Sequence, residues 1–276
     1  MAECICGGLY QDPRYQMQIS EPYKERRDYM ATKYPLVTYY DSNELLFINK
    51  ESLPDVVLFA VKPQVMKQVL LDLQPIIHEH ITSDNKKKKP LFLSIAAGIS
   101  SKSMLAWLKD STLPLVRLMP NTPALLGEGA CGCFPANDHV SQEHRVLTEA
   151  ILNAVAKEIV WVDQESTIDT VTGISGSGPA YFFLIMEAMQ NAGEAAGLSP
   201  NDAKALILQT CLGAAKMAME SEDDLATLRR KVTSPKGTTE AALKVMESNN
   251  IRQIINDGVV AAINRSRELS EEFGKE

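Results

Sequence analysis

Residues 231–243 (KVTSPKGTTEAAL) combine side chains and a local conformation that suit an anionic ligand. Gly237 permits conformations that other residues resist, so this stretch is predicted to form a turn that leads into a helix. The first N–H groups of such a helix are unpaired and attract carboxylates and phosphates. Three hydroxyl side chains add possible donors, and they belong to Ser234, Thr238 and Thr239. The simpler interpretation is a helix N-cap with Glu240 as an acid in the first turn.

Four further motifs combine small or rigid residues in a way that is typical of ligand sites. They are residues 60–63 (AVKP), 96–98 (AAG), 119–123 (MPNTP) and 173–179 (GISGSGP). The first three stand at the C-terminal ends of predicted strands, and open α/β sheets bind ligands at the carboxyl ends of their strands. Small side chains at two neighbouring strand ends would form a shelf for a flat ring. Each motif alone is also an ordinary turn, and residues 173–179 also fit a joint between two domains.

Strands alternate with helices through the first part of the chain, which predicts a doubly wound α/β domain of residues 1–162. The run VVLFAV (56–61) is apolar enough for a strand that is buried on both faces of a parallel sheet. The predicted strands are 15–19, 36–40, 56–61, 91–95, 115–119 and 158–162. The predicted helices of this domain are 1–9, 23–32, 65–77, 101–109 and 140–156.

Residues 163–276 are predicted to form a second, all-helical domain. Helices 179–196 and 203–219 are apolar almost all round, and a helix without a polar face must be buried on every side. In a domain of this size, packing against a second copy of the chain buries such helices most easily. The pattern therefore predicts an obligate homodimer.

Composition narrows the partners and the compartment. The net charge is −7, and the one dense basic run, 86–89, lies in a predicted loop, so we expect no nucleic-acid partner. No apolar run approaches the length of a membrane span, so we expect no membrane partner either. The five cysteines are odd in number and are interpreted as reduced residues of a cytoplasmic protein. Neither they nor the four histidines are spaced as metal ligands, and no metal is expected.

The motifs AVKP, MPNTP, GSGPAY and TSPxGTT, taken together and in this order, resemble the pyrroline-5-carboxylate reductase family. The resemblance runs from Met1 to about Leu269. It implies an enzyme that reduces 1-pyrroline-5-carboxylate to L-proline, the last step of L-proline biosynthesis. The implied cofactor is NADPH, with NADH as the alternative. The implied fold is an N-terminal Rossmann-like doubly wound sheet followed by an all-helical dimerisation domain, and such dimers assemble further into rings.

The resemblance also assigns site residues by position. The residues matched to the cofactor site are Ser20, Asn43, Ala60, Val61, Lys62, Pro63, Ala96 and Ala97. The residues matched to the substrate site are Ser234, Gly237, Thr238, Thr239 and Glu222. Thr239 matches the catalytic position, where a hydroxyl hydrogen-bonds the ring nitrogen. Asn49 is an alternative to Asn43 at the adenosine ribose, because the spacing in this region is irregular.

Two departures from the family pattern matter. Lys236 stands where many members have glycine, and it adds a cation beside the implied carboxylate site. The family begins with a buried strand and a G-x-G-x-M-A turn, whereas this sequence starts at the Met-Ala of that turn, so the first strand and the glycine loop are expected to be missing. A truncated, non-catalytic, oligomer-forming remnant is therefore one alternative.

A related NADP-dependent hydroxyacid dehydrogenase is a second alternative. Those enzymes rely on a catalytic lysine in the long helix of their helical domain, and the two apolar helices offer only Lys204 and Lys216, outside any matching motif. The sequence leaves the choice between NADPH and NADH open. Glu21 favours a free 2′-hydroxyl, whereas nearby cations favour a 2′-phosphate, namely Lys24, Arg26 and Arg27.

Overall fold

The computed structural model describes residues 1–47, 54–79 and 89–274, which form two compact units. The first unit contains residues 1–176 and 262–276, and the second contains residues 177–261. The strands are β1 (Gln18–Ser20), β2 (Thr38–Tyr40), β3 (Val56–Phe59), β4 (Leu91–Ser94), β5 (Leu115–Pro120), β6 (Gly129–Pro135) and β7 (Ala156–Trp161). The helices are α1 (Ala2–Leu9), α2 (Lys24–Lys33), α3 (Pro63–Ile77), α4 (Ser101–Leu108), α5 (Gln142–Leu152), α6 (Thr167–Val171), α7 (Gly178–Ala195), α8 (Pro200–Glu220), α9 (Leu225–Lys231), α10 (Thr238–Ser248) and α11 (Ile251–Gly274). Within these described ranges, no helix is long and apolar enough to cross a membrane.

The described strands of the first unit form two sheets. One sheet has five strands in the order β3-β4-β5-β6-β7, and the other pairs β1 with β2. Neighbouring strands are parallel except for β5 and β6, which are antiparallel. The predicted fold class, a Rossmann-like doubly wound sheet followed by an all-helical C-terminal part, is confirmed.

Helices cover both faces of the larger sheet, and each face has its own apolar core. Phe92 of β4 points into a core shared with α3 and α4. Leu91 and Leu93, on the opposite face of the same strand, pack with α1 and α5. Because successive side chains of a strand alternate between faces, a continuous apolar strand is required here. The apolar run that predicted this strand therefore reflects burial on both of its sides.

Strand β6 was not predicted. Its sequence, GACGCFP, contains two glycines, two cysteines and a proline, and it lacks the β-branched residues that usually indicate a strand. A Cβ atom at Gly132 would lie 2.7 Å from Cγ1 of Val171, so the glycine lets α6 pack directly on the sheet. The predicted first strand, 15–19, is also displaced, because regular pairing begins only at Gln18.

The boundaries of the compact units differ from the predicted domain boundary at 162/163. They fall at 176/177 and 261/262. Helix α6 packs on β6, and the end of α11 belongs to the first unit. The functional division into residues 1–162 and 163–276 stays a prediction.

In the second unit, α7 and α8 pack against each other close to the ranges predicted from their apolar sequences. A Cβ atom at Gly193 would lie 3.3 Å from Cδ1 of Leu198, so the turn between the two helices is tight. Large apolar side chains nevertheless remain exposed on both helices. On α7 they are Phe182, Phe183, Leu184, Ile185 and Met189, and on α8 they are Leu206, Leu208, Leu212, Met217 and Met219.

Candidate active site

The ends of β3 and β4 form the predicted shelf of small residues. The two strands are parallel neighbours, with Phe59 in register with Ser94, and the amide of Ile95 donates to the carbonyl of Phe59 at 3.2 Å. The residues that follow therefore lie side by side. They are Ala60 and Val61, which are half-buried, and Ala96 and Ala97, of which the second is exposed. Lys62 is then the N-cap of α3, and Pro63 is the first residue of that helix.

The residues matched to the adenosine side lie at the corresponding end of the smaller sheet. Ser20 is the last residue of β1 and is in register with Tyr40 of β2. Asn43 begins a short 3-10 helix, Asn43–Leu46, which packs against β1. The structure therefore brings Ser20 and Asn43 to one end of the sheet, whereas Asn49 lies outside the described residues.

The residues present fit a dinucleotide at this edge. The Oγ atom of Ser20 is buried and has no hydrogen-bond partner among the described residues, so a donor and acceptor is available to a ligand. Helix α1 starts at Ala2, and its N-cap, Met1, makes no capping hydrogen bond through its side chain. The first amides of α1 are therefore also available, and such amides favour phosphate groups.

The cations near the end of β1 are engaged in different ways. Lys24 pairs with Asp28 at 2.6 Å, and Arg26 pairs with Glu3 on α1. Nη1 of Arg27 donates to the carbonyl of Glu21 at 2.6 Å. The partners of Arg27 are main-chain carbonyls and not carboxylates, so its positive charge is not balanced by an ion pair at this end of the sheet.

The predicted anion-binding stretch forms the start of α10, but the roles of two residues differ from expectation. Gly237 is the N-cap and has a φ of −83°, so the prediction that it supplies an unusual backbone conformation is wrong. Lys236 instead lies in the left-handed region, with a φ of 61°. Gly237 is needed for space, because a Cβ atom there would lie 3.0 Å from the carbonyl oxygen of Ser234. Many members of the family that the sequence resembles have glycine at the position of Lys236. The backbone explains that preference, since only glycine adopts this φ without strain.

Three hydroxyl groups around this N-terminus are exposed and have no hydrogen-bond partner within the described part of the chain. They belong to Ser234, Thr238 and Thr239. Glu240 performs the capping role, because its Oε2 atom accepts from the amide of Lys236 at 2.9 Å. That hydrogen bond, followed by one from Lys244, lowers the pKa of Glu240. The cap and the anion site are therefore compatible, since the cap uses Glu240 and leaves the hydroxyls free.

Glu222, the fifth residue matched to the substrate site, is exposed in the segment between α8 and α9. Within the described ranges, no hydrogen bond joins it to residues 234–239. Its role at the edge of the substrate stays a prediction.

Sequence reasoning missed how the motifs 119–123 and 173–179 come together. Residues Thr172–Gly176 form a π-helical turn. Asn121 donates from Nδ2 to the carbonyl of Ser175 at 3.1 Å and accepts from the amide of Ala130 at 2.9 Å. A Cβ atom at Gly176 would lie 2.7 Å from Cε of Met119. Motif 119–123 thus contacts motif 173–179 directly. The sequence shows that both motifs are present, but nothing in it indicates that they meet.

An ion pair between a buried arginine and a half-buried glutamate was also missed. Arg117 of β5 donates to Glu165 at 2.6 Å, and Glu165 also accepts from the amide and the hydroxyl of Ser101 at 2.6 and 2.9 Å. Ser101 is the first residue of α4, which follows the AAG motif. Glu165 therefore fixes the start of α4 to the middle of the sheet.

These features define a class of protein. A doubly wound sheet with small residues at adjacent strand ends, an unpartnered hydroxyl on the adenosine side and a separate helical unit are features of the two-domain oxidoreductases that use nicotinamide dinucleotides.

Comparison with known proteins identifies the family within this class. A family model described as pyrroline-5-carboxylate reductase dimerisation matches residues 165–269. A pyrroline-5-carboxylate reductase of Pseudomonas aeruginosa is 44% identical over 279 aligned positions, which cover 100% of this chain and 95% of the relative. The structure of a pyrroline-5-carboxylate reductase from Coxiella burnetii is 38% identical with a TM-score of 0.85, covering 98% of this chain and 94% of that one. The structure of a Plasmodium falciparum pyrroline carboxylate reductase with NADP bound is 27% identical with a TM-score of 0.79. It covers 97% of this chain and 94% of that one.

The chain belongs to the pyrroline-5-carboxylate reductase family. The recognition made from the four motifs is confirmed, and the hydroxyacid dehydrogenase alternative is wrong. The alignments run over nearly all of each relative, and this coverage argues against a non-catalytic remnant. The family model for dimerisation supports homo-oligomer formation.

Proposed function

We propose that this protein reduces 1-pyrroline-5-carboxylate to L-proline with NADPH, as the last step of L-proline biosynthesis. The observation that carries the proposal is the N-terminus of α10 in a chain of this family. There, the hydroxyl of Thr239 is exposed beside unpaired helix amides, where an anionic ring with a basic nitrogen can bind.

The start of α10 binds the carboxylate of the substrate. The amides of Thr238 and Thr239, the first two residues of α10, point out of the helix, whereas the amide of Gly237 donates to the carbonyl of Ser234 at 3.0 Å. The positive end of the helix dipole also attracts the anion. Ser234 adds a hydroxyl donor from the preceding turn. Lys236 adds a cation to the same loop, which supplies a local attraction for the anion although the whole chain carries a charge of −7.

Thr239 acts on the imine nitrogen. Its hydroxyl lies two residues after the N-cap and has no competing partner in the described chain, so it is free to hydrogen-bond the ring nitrogen. This bond orients the imine and strengthens as the nitrogen becomes an amine. The proton itself comes from water or from a substrate that is already protonated, because Glu240, the acid nearest to Thr239 in sequence, is engaged by the amide of Lys236 and by Lys244.

The cofactor supplies a hydride when it is bound, and the chain positions it. We assign the shelf residues Ala60–Pro63 and Ala96–Ala97 to the nicotinamide and its ribose. Ser20 and Asn43 are assigned to the adenosine side. Arg27 supports NADPH over the alternative NADH, because its uncompensated charge suits a 2′-phosphate.

The exposed apolar residues of α7 and α8 support a homodimer, with further assembly into a ring as the finer proposal. A cytoplasmic location stays a prediction from the unbridged cysteines of the chain.

The purified protein should consume NADPH when 1-pyrroline-5-carboxylate is added and should release L-proline, which mass spectrometry identifies. A parallel assay with NADH measures the cofactor preference, and Thr239→Ala serves as the variant of low activity. Absence of L-proline from a folded protein that binds NADPH would overturn the proposal.

A further inference from the structure

The last two described turns of α11 pack against the shelf motif AAG. Gly98, the last residue of that motif, has a φ of 73°, which is the left-handed region. A Cβ atom at Gly98 would lie 3.2 Å from Cβ of Leu269 and 3.2 Å from Cδ2 of Phe273. Both residues belong to the last two turns of α11. The Gly98 turn is therefore held between the end of β4 and the C-terminal helix.

A buried hydrogen bond anchors this part of α11. The hydroxyl of Ser266 donates to Oδ1 of Asp169 at 2.7 Å, and the two residues are only 6% and 9% exposed. Asp169 lies on α6, which packs on the sheet through β6. Because a buried carboxylate requires a partner, this bond fixes the position of α11 along its axis.

Phe273 joins the helix to the core beneath the shelf. It packs against the apolar cluster that contains Ala96 and Ile99, on either side of the Gly98 turn. A Cβ atom at Gly274 would lie 3.4 Å from Oγ of Ser103 in α4, so the contact continues to the end of the described helix. The segment from Ser266 to Phe273 thus supports both the shelf and the helix that follows it.

We propose that Leu269 and Phe273, held in place by the Ser266–Asp169 bond, are positioning residues for NAD(P)H. They touch neither cofactor nor substrate in this proposal, and they act through Gly98 on Ala96 and Ala97. Leu269 and Phe273 pack on the outer side of the Gly98 turn, so loss of this packing lets the shelf move. The inference rests on the proposed function, in which this shelf receives the nicotinamide.

Titration of NADPH against the full-length protein, followed by nicotinamide fluorescence without substrate, tests the inference. Phe273→Ala and Ser266→Ala should each raise the Kd for NADPH by about tenfold, because the displaced shelf loses part of its contact with the nicotinamide. The KM for NADPH should rise similarly, while the KM for 1-pyrroline-5-carboxylate should stay unchanged. Ser266→Thr retains the hydroxyl and should restore the Kd.

Arg267→Ala is the matched control, because Arg267 is exposed on the same helix between the anchoring residues. It should bind NADPH as the unmodified protein does. If Phe273→Ala does not fold, Phe273→Leu keeps most of the apolar contact and should show a smaller rise in Kd. Folded variants with a lower Tm but an unchanged Kd would overturn the inference, because the segment would then only stabilise the fold. The binding measurement needs no imine, so a failure of the proposed reaction is distinguished from a failure of this inference.

Discussion

Asn121 binds Ser175 across 54 positions of sequence, through a hydrogen bond of 3.1 Å from its side-chain amide to the main-chain carbonyl. Its other side-chain atom, Oδ1, accepts from the amide of Ala130 in β6. One side chain therefore closes the loop after β5 and also holds the π-helical turn that precedes α7. Both halves of the amide are used, so no other residue type of similar size replaces it fully.

Asn121→Ala should lower the free energy of unfolding by about 1 to 3 kcal/mol, because it leaves a main-chain amide and a carbonyl without their partner. Urea unfolding of the two proteins measures the difference. Asn201, which is exposed on α8, supplies the control, and Asn201→Ala should change stability by less than about 0.5 kcal/mol. Equal urea midpoints for Asn121→Ala and the unmodified protein would show that the two hydrogen bonds of the Asn121 side chain contribute nothing to stability.

Thr239→Ala should lower kcat and kcat/KM together, because it removes a contact that strengthens in the transition state. Ser234→Ala should chiefly raise the KM for the imine, because its contact with the carboxylate is equally strong before and during reaction. Each loss should correspond to about 1 to 3 kcal/mol. Steady-state kinetics are measured beside thermal melts, and Thr239→Ser, which keeps the hydroxyl, is the control. Normal kinetics with a lowered Tm would mean that these residues serve only as the start of α10.

Lys236→Gly should affect stability and substrate binding in opposite directions. Glycine relieves the left-handed conformation at position 236, which costs other residues roughly 1 to 2 kcal/mol, and part of this gain is offset by the greater freedom of the unfolded chain. We expect a net gain of up to about 1 kcal/mol. The KM for the imine should rise by up to about fivefold, because an exposed charge is worth roughly 0.2 to 1 kcal/mol.

Lys236→Gln separates the two effects, since it removes the charge but keeps the strain. It should raise the KM without any gain in stability. The rise should disappear at high salt, where the attraction between exposed charges is screened. A glycine variant with an unchanged KM at low salt would exclude the lysine from substrate binding.

Stability should fall with acid partly because of Glu3. The hydrogen bond from Lys33, followed by those from Arg26 and Tyr29, lowers the pKa of Glu3 to about 2, against an ordinary value of 4.5. Its contribution is therefore present in full above about pH 4.5 and is lost as the pH falls towards 2. Glu3→Gln should be less stable than the unmodified protein at about pH 6, and the two should converge at about pH 2. Urea unfolding at both pH values provides the test, and a constant difference would assign the effect to another group.

Leu212→Glu on α8 should convert the homo-oligomer to smaller species. Leu212 is 50% exposed within one chain, and a charge there cannot be buried against a second copy without a partner. Size-exclusion chromatography with light scattering measures the mass. Leu36→Glu is the matched control, because Leu36 is 79% exposed in the first unit and should leave the mass unchanged. An oligomer of unchanged size would move the interface away from this face of α8.

The sequence predicts the elements that are apolar throughout, since β3, β4, β5, α7 and α8 all begin and end close to their expected limits. It fails at β6, where strand formation is imposed by neighbouring strands and not by the glycines and cysteines themselves. It also places the special backbone conformation one residue late, at Gly237 and not at Lys236. Local propensity favours the glycine, whereas in the structure Lys236 adopts the left-handed conformation and donates its amide to Glu240.

The members of the shelf could be listed from motif spacing because strand ends meet at one edge of a parallel sheet. The packing of α11 behind the shelf could not be predicted from the sequence. The hydrogen bond between Ser266 and Asp169 joins residues that are 97 positions apart, and neither residue lies in one of the recognised motifs. Long-range hydrogen bonds of this kind depend on how helices meet, which periodicity within one helix does not contain.

The return of α11 to the first unit has a consequence for biosynthesis. The first unit is discontinuous in sequence, since Phe273 completes a core whose other members lie between Leu46 and Ala136. During translation, the sheet emerges long before the helix that closes its core. The first unit should therefore remain incompletely packed on the ribosome until α11 has emerged. Limited proteolysis of stalled nascent chains, with and without residues 262–274, would detect the difference.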